Sequence, residues 1–256
     1  MLSYTTFPAA AVTSAPPLLI AHGLFGSGRN WGVIARRLAD SRPVITVDMR
    51  NHGDSPRAMT QSYPDMAGDL AEVVLANGGI ADILGHSMGG KAAMVLALSA
   101  PSLARKLIVA DIAPVAYSHD QSLNIAAMSG LDLSGLTSRS IADARLSKTV
   151  IDATLRAFFL QSLDLRVSPP AWRLNLHVLA QEMASIVGWP NPTGQFDGPA
   201  LFLSGADSNY VLPEHHSLIL AQFPHASFTR IQGAGHWVQA EKPREFEQAV
   251  RFFLQG

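Results

Sequence analysis

Ile80-Ala-Asp-Ile-Leu-Gly-His-Ser-Met-Gly-Gly-Lys-Ala92 places a serine inside G-x-S-x-G, between a short apolar run and an alanine-rich helical stretch. The pattern describes a nucleophile elbow, a tight strand-to-helix turn that holds one side chain exposed and strained. Gly85 and Gly89 flank Ser87 two residues away on either side, where a Cβ would collide with the neighbouring strand or helix. Met88 presents its backbone N–H at the first turn of the helix, where unpaired amides and the helix dipole favour negative charge. One turn thus offers a nucleophile and half of an oxyanion hole. The competing reading is a plain glycine-rich turn. Gly85 to Lys91 also fits the phosphate-loop pattern G-x-x-x-x-G-K. That loop needs Ser or Thr after the lysine to hold magnesium, and here the residue is Ala92, so the phosphate reading is weak.

The 256 residues are enough for one large domain with a well-buried core. Apolar residues make up 48% and charged residues 15%, which excludes a disordered chain. The net charge is −1 with both signs scattered, so no basic surface for nucleic acid is indicated. Without cysteine there is no disulfide, thiol nucleophile or thiolate-held metal. Met1 to Phe7 lacks a basic leader region and no stretch has membrane-spanning character, so a cytoplasmic protein without stable membrane insertion is expected. Oligomeric state is not readable.

Working outward from the elbow, short apolar runs alternate with helical spacing, the pattern of parallel strands joined by crossover helices. The expected strands are Leu18–Ala21, Val44–Val47, Ile80–Leu84, Leu107–Ala110, Ala200–Leu203 and Phe228–Ile231, with Leu2–Phe7 as an antiparallel edge. The six runs other than Leu2–Phe7 do not alternate with polar residues, as expected for strands covered on both faces. Helical spacing falls on Asn30–Ala39, Asp65–Ala76, Met88–Ser99, Pro213–Gln222 and Pro243–Leu254. From Pro114 to Asp197 no strand is evident, only candidate helices at Ser138–Ser147, Val150–Leu163 and Trp172–Glu182. The expected architecture is α/β: a mostly parallel central sheet flanked by helices, with residues 1–113 and 198–256 as core and 114–197 as an inserted helical cap. Such an insertion lies over the carboxyl ends of the strands, where these folds bind ligands. Most of Phe158, Phe159, Leu160, Trp172, Leu176 and Trp189 are expected in the cap's own core, the rest along an acyl pocket.

A serine hydroxyl needs a base, and the base an orienting acid. The order Ser…Asp…His of an elbow fold puts the histidine last, and His236 in Gly233-Ala-Gly-His-Trp-Val follows the final strand. Of nine histidines only His236 has that place; His22 and His52 precede the elbow, His86 is expected to face away from the serine, and His215 and His216 are expected in solvent. Two acids compete. Ser204-Gly-Ala-Asp-Ser puts Asp207 one position earlier than the usual spacing from Gly205, which lands on Ser208. Asp111 ends an apolar strand, where a carboxylate costs desolvation unless paired. Asp111 is preferred, Asp207 is the alternative acid, and Ser208 is a supporting fourth member. The second oxyanion donor is expected from His22-Gly-Leu-Phe-Gly-Ser, at the Leu24 amide beside that of Met88. In Asp48-Met-Arg-Asn-His-Gly-Asp-Ser55 the expectation is structural, with Asp48, Arg50 and Ser55 paired to fix the loop. No metal-ligand spacing is visible.

Taken together, the elbow, His22-Gly-Leu-Phe-Gly-Ser, Asp48-x-Arg50-Asn-His-Gly-x-Ser55, Asp111-Ile-Ala-Pro and the terminal Gly-His-Trp resemble the α/β-hydrolases over nearly the whole chain. More narrowly they resemble the YbfF-type esterases, related to abhydrolase-domain hydrolases of mitochondria. The resemblance implies the α/β-hydrolase fold and a cofactor-free esterase or thioesterase acting on acyl chains of small-molecule substrates. It also implies the acid at the Asp111 position and a serine at the Ser208 position in the network. Asp207 beside Ser208 departs locally from the pattern, so both acids stay open. Carbon–carbon bond hydrolysis, perhydrolysis and a non-catalytic ligand-binding member are the other readings.

Overall fold

The apolar runs form a seven-stranded sheet in the computed structural model, which describes residues 1–256. In chain order the first elements are β1 (Tyr4–Phe7), β2 (Leu18–Ala21), α1 (Gly32–Leu38), β3 (Val44–Val47), α2 (Tyr63–Ala76), β4 (Ala81–His86), α3 (Met88–Ser99) and β5 (Ala104–Ala110). An insertion follows: α4 (Ser122–Ser129), α5 (Arg139–Leu146), α6 (Ala153–Leu160), the ribbon strands β6 (Leu163–Asp164) and β7 (Ala171–Trp172), α7 (Leu176–Gln181) and α8 (Met183–Val187). The chain closes with β8 (Ala200–Gly205), α9 (His216–Gln222), β9 (Ala226–Ile231), α10 (Val238–Glu241) and α11 (Pro243–Gln255). The sheet order is β1-β3-β2-β4-β5-β8-β9. Only the β1–β3 pair is antiparallel.

Every residue of β2, β3 and β4 is buried, because helices cover both faces of the sheet. One face packs Leu70 and Val73 of α2 and Leu96 of α3 against Ile83 and Leu107. The other packs Trp31, Leu38 of α1 and Phe246, Val250 and Leu254 of α11 against Ile20 and Ile108. In α11 these buried positions recur every four residues, one apolar stripe on an otherwise polar helix.

A charge sits inside this apolar sheet. Asp82 of β4 is fully buried, and its carboxylate accepts hydrogen bonds from the guanidinium groups of Arg42 and Arg105. The cluster ties the entry to β3, the start of β5 and β4 together, and it holds only while both signs are present.

Strand limits differ from the sequence reading at their ends. Ile80 is 41% exposed and precedes β4, since Gly78 and Gly79 turn the chain with positive φ just before it. β4 instead runs on to His86, straight into the elbow, and β5 begins early, at Ala104. The insertion, expected to lack strands, carries the two-residue pairing of β6 with β7.

The insertion leaves after β5 and returns at β8, over the carboxyl end of the sheet. The core holds it at several points: the Asn175 amide donates to the Asn51 carbonyl (2.9 Å), the Tyr63 hydroxyl to the Ile186 carbonyl, and the Ser162 hydroxyl to the Phe25 carbonyl (3.0 Å). No helix is long and apolar enough to cross a membrane.

Candidate active site

β4 delivers the chain to Ser87 and α3 takes it away at Met88, so the serine occupies the turn itself with φ 52° and ψ −119°. A non-glycine residue reaches that conformation only when its surroundings hold it there. Two glycines allow the approach. A Cβ on Gly85 would lie 2.2 Å from the Gly89 carbonyl oxygen, and one on Gly89 would lie 2.5 Å from the Ala21 carbonyl oxygen of β2. Both contacts are backbone, so neither neighbour can yield.

His236, in the loop between β9 and α10, brings Nε2 to 3.1 Å from Ser87 Oγ. Its Nδ1 lies 2.7 Å from Asp111 Oδ2. Asp111 follows β5 directly, is fully buried, and has φ 51°. Its carboxylate has two further partners: Oδ1 accepts from the Gly205 amide (3.1 Å), and Oδ2 also accepts from the Ser208 hydroxyl. An acceptor-only Asp111 makes His236 Nδ1 the donor and leaves Nε2 to accept from Ser87. Asp207 is exposed; its amide donates to the Ala234 carbonyl (2.9 Å) and its carboxylate has no partner in the protein. On this turn the one-residue offset sends Asp207 outward and Ser208 toward Asp111.

Leu24 and Met88 line the same cleft as Ser87, from the loop after β2 and from the first turn of α3. Neither amide has a hydrogen-bond partner in the chain. The cleft opens to solvent, and His236, Tyr210 and Trp237 line it together with Leu24, Met88 and Phe158. No group of three His, Asp or Glu side chains is arranged to hold a metal ion.

A family model described as "alpha/beta hydrolase fold" matches residues 16–243. The chain belongs to the α/β-hydrolase family. Among curated relatives, the mouse (Mus musculus) protein named sn-1-specific diacylglycerol lipase ABHD11 is 40% identical over 262 residues, covering 99% of this chain and 85% of that protein. Esterase YbfF of Escherichia coli K12 is 41% identical over 242 residues, covering 93% of this chain and 92% of that one. A solved structure described as a marine microorganism esterase superposes with a TM-score of 0.93 at 36% identity, covering 98% of each chain. Within the family, this chain therefore stands among proteins named esterases and lipases.

Several residues of this hydrolase's cleft escape sequence reasoning. His86, expected to face away, instead turns its ring to within 4.9 Å of the His236 ring. Its Nε2–H donates to the His236 carbonyl (2.9 Å), so the residue beside the serine holds the backbone of the histidine loop. Burial, then the neighbouring His236, lowers the His86 pKa to about 3 and keeps it neutral. Tyr210 stacks on His236 at 3.8 Å and 18°, and its hydroxyl meets His119 Nε2 at 2.7 Å. Lys91, one turn after Ser87, is almost fully buried and donates to the carbonyls of Val187 (3.0 Å) and Gly188 (2.6 Å) at the end of α8. Burial draws its pKa down to about 7. Of the six aromatic and aliphatic residues expected to divide between cap core and pocket, only Phe158 lines the cleft.

The Asp48–Ser55 loop is ordered differently from expectation. Asp48 and Arg50 do not pair: the Asp48 carboxylate is occupied by the amides of Gly28 (2.7 Å) and Asp54 (2.8 Å). Arg50 turns to Asp69 and Asp65 of α2. Ser55 donates its hydroxyl to the Asp48 carbonyl and accepts from the Ser3 amide.

Proposed function

We propose that this chain is a serine hydrolase cleaving carboxylic esters or acyl thioesters of aliphatic acids. Its machinery is a triad of Ser87, His236 and Asp111, with an acyl-enzyme as intermediate. The observation that carries the reading is the unbroken relay from Ser87 Oγ to His236 Nε2 (3.1 Å) and from His236 Nδ1 to Asp111 Oδ2 (2.7 Å), at a cleft. The mouse relative is named for a diacylglycerol substrate and the E. coli relative as an esterase; their common element is an acyl ester.

In this reading Ser87 attacks the acyl carbonyl while His236 takes its proton, and the buried Asp111 stabilises the imidazolium. Ser208 supports Asp111 through its hydroxyl. The negative charge on the carbonyl oxygen is met by the Leu24 and Met88 amides, each worth about 3 kcal/mol in comparable sites. His236 then protonates the leaving alcohol or thiol, water repeats the sequence on the acyl-enzyme, and the acid departs. No cofactor enters these steps. Residues 114–197 act as the cap of a core made of 1–113 and 198–256, closing over the acyl group. Leu24, Met88, Ile112, Phe158, Ile186 and Val187 give the cleft apolar wall suited to an aliphatic chain.

The test is a substrate panel of p-nitrophenyl esters and acyl-CoA thioesters with straight aliphatic acids of increasing length. The expected result is turnover on aliphatic acyl groups in preference to bulky polar acids. No rate on any aliphatic chain, from folded protein, contradicts the reading.

A further inference from the structure

The loop Arg50-Asn-His52 and the His22 side chain take no part in the relay, yet both histidines are buried against the segment that carries Leu24. His22 Nε2 lies 2.9 Å from the Met49 amide, and an amide only donates, so Nε2 accepts and the ring proton sits on Nδ1. That Nδ1–H donates to the Gly23 carbonyl at 2.8 Å. The same carbonyl accepts from the Gly26 amide at 3.0 Å. In a planar trans peptide the C=O of Gly23 and the N–H of Leu24 point in opposite directions. Two donors holding the oxygen on the core side therefore aim the Leu24 N–H toward the cleft. A Cβ on Gly23 would lie 3.2 Å from Ser87 Cβ, so this peptide borders the nucleophile.

His52 secures the other end. Its Nε2 accepts from the Phe25 amide (3.2 Å) and its Nδ1–H donates to the Arg50 carbonyl (2.8 Å). Phe25 is thereby held at φ 65°, a conformation disfavoured for an aromatic residue. The two rings meet edge-on at 5.2 Å.

We propose that His22 and His52 are a paired positioning device that locks the Gly23–Leu24 peptide with its N–H facing the oxyanion. The proposal rests on the esterase reading and assigns a use to the His-Gly segment of the Asp48–Ser55 loop. Burial keeps both rings neutral, which the tautomers require: it lowers the His22 pKa, and burial with repulsion from His22 brings His52 to about 3.

The test compares two variants of His22 on a p-nitrophenyl ester. His22→Asn retains a donor at the Nδ1 position, whereas His22→Gln retains an acceptor at the Nε2 position and loses the donor. His22→Gln is expected to lower kcat at least tenfold with KM within about threefold, and to weaken an alkyl boronic acid, which mimics the oxyanion, in parallel. His22→Asn is expected to keep kcat within about threefold of wild type. Equal kcat for both variants, or a rise in KM with a lowered thermal midpoint and no loss of boronate affinity, overturns the proposal. Side-chain ¹⁵N NMR of wild-type histidines reads the same claim without any variant: Nδ1–H tautomers for His22 and His52 are expected, and Nε2–H tautomers overturn it. An inactive wild type would instead count against the esterase reading, and the tautomers would still be measurable.

Discussion

Replacing Asp111 with asparagine preserves the side chain's shape and removes its charge, so the consequence follows from hydrogen-bond polarity. Asp111 Oδ1 accepts from the Gly205 amide (3.1 Å), a group that only donates. The asparagine oxygen must therefore stay there, which puts the –NH₂ where Oδ2 met His236 Nδ1 at 2.7 Å. Two donors cannot face each other, so the imidazole moves its proton to Nε2. An Nε2–H at 3.1 Å from Ser87 Oγ has no lone pair with which to accept the serine proton. The Ser208 hydroxyl rotates to accept, so the fold survives. The same change in a serine protease triad lowers kcat about 10⁴-fold, equivalent to about 5 kcal/mol of barrier. We expect a loss of about 10³ to 10⁴ here on a short-chain p-nitrophenyl ester, with the thermal midpoint showing that the variant is folded. Asp207→Asn, at an exposed carboxylate without a partner, should stay within about twofold of wild type. A folded Asp111→Asn enzyme within tenfold of wild type, or an equal loss from Asp207→Asn, refutes the reasoning.

Asp82→Asn leaves the nearly buried Arg42 without its charge partner and should cost about 3–5 kcal/mol in urea unfolding. A loss under about 1 kcal/mol contradicts that role for the cluster. Acid stability follows from His52 and His86, both held near pKa 3 by burial, against about 6.5 in the unfolded chain. Between pH 6.5 and 3 the unfolded chain binds more protons, so stability falls as pH falls through that window, by about 5 kcal/mol for the two groups down to pH 4.5 and about 9 kcal/mol over all of it. Urea midpoints at pH 7, 5.5 and 4.5 should decline in step; a flat series contradicts it.

What the sequence made legible is what short segments encode. An unalternating apolar run followed by G-x-S-x-G specifies β4, the elbow and α3 by local rules, and those elements lie there. Asp111 was readable because a carboxylate closing a buried strand demands a partner, although the strand's start at Ala104 was not. Contacts between distant segments were hidden. Lys91 reads as an ordinary helix position, and only the return of the chain at Val187 and Gly188 gives its ammonium two acceptors. Tyr210 stacks on His236 through the meeting of two loops, with no periodicity to announce it. His86 was misjudged because its partner, the His236 carbonyl, lies 150 residues away in sequence, in the loop after the last strand. The charged Asp48 segment misled because opposite charges in sequence invited pairing. Backbone amides claimed Asp48 first.

The most direct measurement treats folded protein with an alkyl fluorophosphonate and maps the adduct by mass spectrometry. The account predicts a single covalent adduct on Ser87, absent in Ser87→Ala and strongly slowed in His236→Ala. Folded wild-type protein that stays unlabelled, or carries the adduct on another residue, contradicts it.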